Sequence, residues 1–277
     1  MQSYLSNPWN YAVSLLTMRF NEQELATGSC FFWKEDKNIF LITNRHNLTG
    51  RNHLTGELMS KSGAIPNSIT FTAFDKLTES DINGYFDLRI AEVEIKLMNT
   101  DDEPRWYEHP TFGHKIDISV IDVTEAVKTL YINCVNELES NIALNLQPAQ
   151  DVFVIGFPFG LIGCEPTPVP IWKRGSIGYD PTFNPENLPK LLIDTATRSG
   201  MSGSVVIARY NAFGNYALKD GSSINNNLYS QHDSVIGLYS GRHYQDYEKA
   251  QLGIVWKRVV IEETVNEKKI PSLDSNL

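Results

Sequence analysis

The segment Gly200-Met201-Ser202-Gly203-Ser204 places a hydroxyl nucleophile between glycines. Glycine adopts backbone angles that residues with a Cβ resist, so this segment favours a tight turn between two apolar runs. Such a turn can direct the N–H groups of Gly200 and Ser202 at one point. There they would bind the oxygen that becomes negative when a carbonyl is attacked. A serine hydroxyl is a weak nucleophile without a base, so this chemistry requires further residues.

A base and an acid both occur upstream, each at the end of an apolar run. His46 follows one such run, and Asp117 lies at the start of another. A carboxylate in an apolar run is costly to bury unpaired, and a histidine Nδ1–H is a suitable partner for it. Asp122 and Asp87 border similar runs and are alternative acids. The sequence therefore predicts a hydrolytic site formed by His46, Asp117 and Ser202.

The bulk composition is ordinary for a soluble globular protein. The chain has 277 residues, 42% of them hydrophobic and 21% charged, with a net charge of −9. An acidic chain without a Lys/Arg run is not expected to bind nucleic acid or an anionic membrane. The most apolar long stretch, residues 152–164, contains proline and glycines and is too short to span a bilayer.

The cysteines and the N-terminus favour a cytoplasmic protein. The sparse set Cys30, Cys134 and Cys164 predicts reduced thiols rather than a disulfide framework. A signal peptide begins with basic residues, whereas no basic residue precedes Arg19 in this sequence. The sequon at Asn47 follows His46 directly, and a glycan there would crowd the predicted site.

Short apolar, β-branched and aromatic runs alternate with turn-rich gaps along the whole chain, which predicts an all-β protein. Helical periodicity is expected only at 124–136 and in a C-terminal helix at 257–267. Long surface loops are expected at 50–67 and 210–233. We predict two six-stranded β-barrels, one in residues 1–135 and one in residues 136–277, because closure removes exposed strand edges. The predicted strands are 12–18, 28–33, 39–43, 68–74, 88–95, 118–123, 151–155, 169–177, 191–193, 204–208, 235–239 and 253–256.

The order of His46, Asp117 and Ser202 resembles that of chymotrypsin-like (trypsin-fold) serine peptidases, in particular their bacterial trypsin-like, HtrA-like and glutamyl-endopeptidase-like branches. The resemblance is carried by TGSCFF at 27–32, LITNRH at 41–46, IDISV at 116–120, VIGFP at 154–158, GMSGS at 200–204 and VIGLYSG at 235–241. It implies two perpendicular antiparallel barrels with the site between them, and a bacterial serine endopeptidase acting on proteins or peptides. A regulatory protein partner is a further expectation, and the oligomeric state is left open.

The resemblance also implies the substrate contacts. The segment Tyr239-Ser240-Gly241 would pair with an extended substrate as an added strand. Ala196, Thr197 and Ser199 would line the specificity pocket. Met201 stands where secreted relatives carry an Asp that pairs with a freed N-terminus, so activation by that ion pair is not expected.

Other readings of the sequence are weaker. The segment 200–204 also resembles the Gly-x-Ser-x-Gly elbow of α/β-hydrolase esterases, in which the acid and the histidine follow the serine; the downstream candidates are His232, Asp233, His243 and Asp246. However, the fifth residue is Ser204 and not glycine, and a β-branched run follows where the elbow requires a helix. A catalytically silent trypsin-fold binding module is the other alternative. We predict no metal and no cofactor. Glu108, His109 and His114 lack zinc-peptidase spacing and are interpreted as surface polar residues, and no phosphate loop or dinucleotide motif occurs.

Overall fold

The computed structural model describes residues 7–60, 62–75, 90–142, 145–163, 167–196, 198–241 and 250–272. In these residues the chain is mostly β, with few and short helices. The strands are β1 Val13–Phe20, β2 Gln23–Glu35, β3 Asn38–Thr43, β4 Ser68–Asp75, β5 Ile90–Lys96, β6 Ser119–Asp122, β7 Leu130–Tyr131, β8 Asp151–Gly156, β9 Ile171–Ile177, β10 Lys190–Asp194, β11 Val205–Ala217, β12 Ser223–Gly241 and β13 Leu252–Lys257. The helices are α1 Arg45–Thr49, α2 Thr124–Val127, α3 Val135–Leu138 and α4 Arg258–Glu267, with 3-10 turns at Pro8–Tyr11, Gly113–Lys115, Pro158–Gly160 and Pro185–Asn187.

The second half of the chain forms a closed six-stranded antiparallel barrel. Its order is β10-β13-β12-β11-β8-β9, and β9 pairs back with β10 through Ile177 and Ile193. Every strand therefore has two neighbours, as predicted for this half. The C-terminal helix is also confirmed, as α4.

The first half is not a closed barrel in the described residues, so the prediction of two closed barrels is not met. Its seven strands form one sheet in the order β5-β4-β1-β2-β3-β6, with β7 paired to β4. The outer edge of β6 is occupied by an isolated bridge, in which Tyr107 and Val120 exchange hydrogen bonds of 2.8 and 3.1 Å. The irregular segment around Tyr107 thus fills the place where β5 and β6 would have to pair.

Residues 210–233 are a β-hairpin and not the surface loop that we predicted. Strands β11 and β12 remain paired out to Ala217 and Ser223. The turn between them contains Gly221, whose φ of +84° suits glycine and whose N–H donates to Leu218 O at 3.0 Å. The signal was the Asp220-Gly221 pair, a typical hairpin turn. The short helix expected within 124–136 is present as α2, and β7 and α3 follow it.

Three apolar clusters form the core of the described part of the chain. One consists of side chains from the first-half sheet and the segments packed on it, and a second consists of side chains from the barrel half. The third contains buried residues from both halves, including Phe31 and Ile42 with Phe157 and Val205. This shared core packs the open sheet against the barrel, and the predicted site lies where the two meet. No helix in the described part of the chain is long and apolar enough to cross a membrane.

Candidate active site

His46 lies on α1, the single helical turn that follows β3. Gly50 ends this turn with φ of +63°, and its N–H donates to His46 O at 3.0 Å. Before the turn, Asn44 Nδ2 donates to the backbone oxygen of Asp117 at 2.7 Å. The strand end and the segment that carries the acid are thereby fixed to each other.

Asp117 is fully buried and accepts several hydrogen bonds. Its Oδ1 accepts the His46 backbone N–H at 2.9 Å, and its Oδ2 lies 2.6 Å from His46 Nδ1. The Ser240 hydroxyl donates to Oδ2 at 2.5 Å. A buried carboxylate requires such donors. A proton on Nδ1 leaves His46 Nε2 able to accept one.

The alternative acids do not occupy this position. Asp122 is exposed, and its carboxylate accepts the backbone N–H of Thr124 at 3.0 Å. Asp87 lies outside the described residues. Among the described carboxylates that we considered, Asp117 is the one that contacts His46.

Ser202 lies in a tight loop that precedes β11. Gly200 and Gly203 have φ of +87° and +88°, as expected for the flanking glycines. A Cβ on Gly203 would lie 1.9 Å from Ser29 O, and one on Gly200 would lie 2.5 Å from Phe157 O. Both positions therefore require glycine on steric as well as conformational grounds.

His46 and Ser202 line the same cavity of about 190 Å³. Ser202 is half-buried, and its backbone oxygen accepts the Ser29 N–H at 2.8 Å. Ser29 belongs to β2, in the same half as His46. The structure thus brings the predicted nucleophile and base to one cavity from opposite sides of the sheet–barrel boundary.

The loop before Ser202 is held by hydrogen bonds to its carbonyl groups. Ser199 O accepts the Phe159 N–H at 2.7 Å, and Gly200 O accepts the Ser29 hydroxyl at 2.9 Å. Because a trans peptide directs its N–H opposite to its C=O, the Gly200 N–H faces away from Phe159. Within the described residues, neither the Gly200 nor the Ser202 N–H donates a hydrogen bond. These are the two groups that we predict to bind an oxyanion.

The predicted substrate contacts lie in different environments. Ala196 and Ser199 are exposed, and Ser199 lines the cavity. Thr197 lies outside the described residues. Gly241 has φ of +91° and pairs with Ile254.

Tyr239 and Ser240 are both buried and already engaged. The Tyr239 backbone donates to Ser204 O at 2.9 Å and accepts the Gly203 N–H at 3.0 Å, and its side chain lies in the barrel core. The Ser240 hydroxyl donates to Asp117 and so helps to hold this carboxylate in place. Pairing of the segment with a substrate backbone stays a prediction.

Sequence reasoning missed a buried ion pair beside the base. Arg45 Nε lies 2.6 Å from Glu108 Oε1, and both side chains are only 4% exposed. His109 is also buried, with Nε2 2.7 Å from Glu263 and Nδ1 accepting two backbone N–H groups. The interpretation of Glu108 and His109 as surface residues is therefore wrong, although His114 is exposed. No local pattern indicated this, because the partners are distant in sequence.

Three further residues near the site were also missed. His53 is buried, with Nδ1 3.7 Å from Asp117 Oδ2 and its ring edge-on to Trp256. Ser29 contacts the loop that carries Ser202 twice, through its N–H to Ser202 O and through its hydroxyl to Gly200 O. Asn47, the sequon residue, is buried, and its Nδ2 donates to Thr43 at 2.9 Å.

In the described part of the chain, neither the thiols nor the acidic groups form a second candidate site. Cys30 and Cys134 are free and buried. Burial raises the pKa of the Cys134 thiol to about 12 and that of Cys30 further. Among the described residues, no group of three or more His, Cys, Asp or Glu is arranged to hold a metal ion.

Comparison with known proteins finds likeness in fold but not in sequence. No model of a protein family and no curated protein matches the chain. The active form of the Rv3671c protease from M. tuberculosis is 15% identical with a TM-score of 0.48, over 95% of this chain and 83% of that one. The serine endoprotease from Yersinia pestis is 16% identical with a TM-score of 0.46, over 93% of this chain and 62% of that one. The thermostable serine protease AL20 from an extremophilic microorganism is 12% identical with a TM-score of 0.46, over 95% and 99%. Likenesses at this level assign no activity.

Proposed function

We propose that the protein is a serine endopeptidase that acts on proteins or peptides. The observation that carries this proposal is the His46–Asp117 hydrogen bond of 2.6 Å at a cavity that Ser202 also lines. Serine hydrolysis requires this combination of an oriented base, an acid that fixes it and an accessible hydroxyl. The glycines Gly200 and Gly203 support the same proposal, as do the Gly200 and Ser202 N–H groups, which donate no hydrogen bond to any described residue.

The proposed reaction begins when His46 Nε2 accepts the Ser202 hydroxyl proton and Oγ bonds to the substrate carbonyl carbon. Asp117 stabilises the imidazolium, and Ser240 and the His46 backbone N–H hold the carboxylate in place. The carbonyl oxygen gains the negative charge, for which the Gly200 and Ser202 N–H groups are the donors.

The intermediate then collapses, and its C–N bond breaks. His46 gives its proton to the leaving amine, which leaves an ester between Ser202 and the acyl part of the substrate. A water then loses a proton to His46 as its oxygen bonds to the acyl carbon. The bond between this carbon and Ser202 Oγ breaks as His46 returns the proton to Oγ, which restores the hydroxyl and releases the carboxylic acid.

A fluorophosphonate probe with mass-spectrometric site mapping tests the nucleophile. We expect labelling of Ser202 in the folded protein, its loss in Ser202→Ala, and its retention in Ser204→Ala, a buried serine two residues away. Cleavage of a peptide library by the wild type, and its loss in Ser202→Ala, tests the substrate class. A folded protein that is neither labelled nor active on the library would favour a silent binding module over this proposal.

The acid is tested separately. Asp117→Asn should lower kcat by about 10⁴, because the amide stabilises the wrong histidine tautomer. Asp122→Asn is the matched control, since this carboxylate is exposed and lies outside the site. Near-full activity of Asp117→Asn contradicts the assigned role.

A further inference from the structure

The cavity that His46 and Ser202 share has two apolar walls. One wall is formed where β1 and β2 lie side by side, and the other by the segment that follows α1. The wall residues that carry apolar side chains are Met18, Leu25, Ala26, Met59, Ala64 and Pro66. Apart from the titratable His46, none of the described residues that line the cavity is ionisable.

The second wall is anchored to the site. The Met59 N–H donates to Gly50 O at 2.8 Å, directly after the helical turn that carries His46. Pro66 packs against Gly50 so closely that a Cβ on Gly50 would lie 2.8 Å from Pro66 Cδ. Asn67 then donates to Arg19 O at 2.9 Å, which ties the end of the segment to β1. The wall is therefore held at both ends.

The Met59 side chain is 55% exposed at this wall. An exposed apolar side chain beside a cavity gains free energy when an apolar ligand covers it. A cavity of about 150 Å³ holds a ligand of the size of benzene, so this one can hold a single side chain of medium size.

The side of the scissile bond that this cavity serves follows from the proposed function, on which this inference rests. His46 protonates the leaving amine, so the substrate residue that carries this amine must lie beside His46. The cavity is bounded by His46 and Asn47. Of the residues predicted to contact the acyl side, Ser199 lines it, whereas Ala196 and the segment Tyr239-Ser240-Gly241 do not.

We propose that this cavity binds the substrate residue directly after the scissile bond and selects a medium-sized apolar side chain there, such as leucine or methionine. Met59 determines part of this specificity. An acidic side chain is disfavoured, because none of the lysines and arginines in the described part of the chain lines the cavity to pair with its charge.

The test uses peptides that share one acyl side, taken from a sequence that the enzyme cleaves, and differ only in Leu, Ala or Asp after the scissile bond. We expect kcat/KM to be at least ~10-fold higher for Leu than for Ala, with Asp lower still. In Met59→Lys, the ratio of the Leu to the Asp value should fall by about 10-fold. Each ratio compares two peptides on one preparation. A smaller fraction of folded enzyme lowers both kcat/KM values equally and leaves their ratio unchanged.

Leu54→Lys is the matched control. Leu54 belongs to the same segment and is 43% exposed, but it does not line the cavity. This variant should keep the wild-type ratios.

The outcomes separate the two proposals. Wild type that is neither labelled at Ser202 nor active on any peptide overturns the proposed function. Labelled, active enzyme with equal rates for the three peptides overturns the specificity alone, as does a Met59→Lys ratio that moves no more than that of Leu54→Lys.

Discussion

The Ser29 hydroxyl joins the two halves of the protein at the loop that carries Ser202. Its removal is therefore a sharp test of the structure. It donates to Gly200 O at 2.9 Å and accepts the Phe157 N–H at 3.0 Å. Ser29 is fully buried, as is Phe157. In Ser29→Ala, a buried carbonyl and a buried N–H both lose the partner that the structure gives them.

The size of the effect follows from these two groups. An unsatisfied buried polar group costs about 1–3 kcal/mol. Two such groups give a range of about 2–6 kcal/mol, and we expect a loss of about 2–4 kcal/mol because the loop can relax. Since domains are stable by only about 5–15 kcal/mol, this loss is large enough to measure without ambiguity.

Ser204→Ala is the matched control for this change. Ser204 is also fully buried, and its Oγ has no hydrogen-bond partner within the described part of the chain. Both hydroxyls lie beside Gly156, where a Cβ would come within 2.6 Å of Ser29 Oγ and 1.9 Å of Ser204 Oγ. Removal of an unsatisfied hydroxyl should change the free energy of unfolding by less than about 0.5 kcal/mol, or raise it.

Urea unfolding followed by tryptophan fluorescence measures both variants. Buried tryptophans lie in each half, Trp33 in the open sheet and Trp256 in the barrel. Ser29→Ala should lower the unfolding midpoint at an unchanged m value. Equal stability of the two variants, or a Ser29→Ala protein as stable as wild type, would refute the hydrogen bonding that we describe.

Gly203→Ala should cost more than about 3 kcal/mol of stability, because its Cβ would lie 1.9 Å from a backbone oxygen. Gly221→Ala, with a similar φ but no atom within 4 Å, should cost about 1–2 kcal/mol in the same urea titration. Arg45→Met should cost about 3–5 kcal/mol because it leaves the Glu108 carboxylate buried without its ion pair, and adding Glu108→Leu should recover most of this loss. Burial lowers the pKa of His109. As the pH falls, the unfolded chain therefore binds a proton at this residue at a higher pH than the folded protein does. Stability should therefore be complete above about pH 6.5 and should fall below it, and His109→Gln should flatten this part of the urea-midpoint profile.

Each of these expectations has an outcome that contradicts it. Gly203→Ala as stable as Gly221→Ala would mean that the backbone contact is absent. A double Arg45 and Glu108 variant no better than Arg45→Met would argue against a direct ion pair. An unaltered pH profile in His109→Gln would place the loss of stability at another group.

The sequence predicted most strands because their signal is local. Runs of β-branched and aromatic residues correspond to twelve of the thirteen strands in the described residues, where β7, of two residues, is the one that was missed. Barrel closure was not predictable in the first half, because it depends on what lies beside β6. There the Tyr107 bridge replaces the strand partner. The hairpin at 210–233 was missed because asparagine-rich strands lack the apolar pattern that predicts them.

In the candidate site, too, the residues with a local sequence signal were predicted and those that act through distant contacts were not. His46, Asp117 and Ser202 were found because each carries a distinctive side chain at the end of an apolar run. The supporting contacts of Ser29 and Ser240 were not found, because each of these serines meets its partner across more than 100 residues of chain. A serine that holds another residue's carbonyl or carboxylate has no local sequence signature.

Two hydrogen bonds connect the reacting groups across the boundary between sheet and barrel. Ser240 of the barrel reaches back to Asp117, and the Ser29 N–H of the sheet reaches forward to Ser202 O. In the proposed peptidase, an inhibitor that separates the two halves would therefore disturb the acid and the nucleophile together. Such a molecule would not need to resemble a peptide.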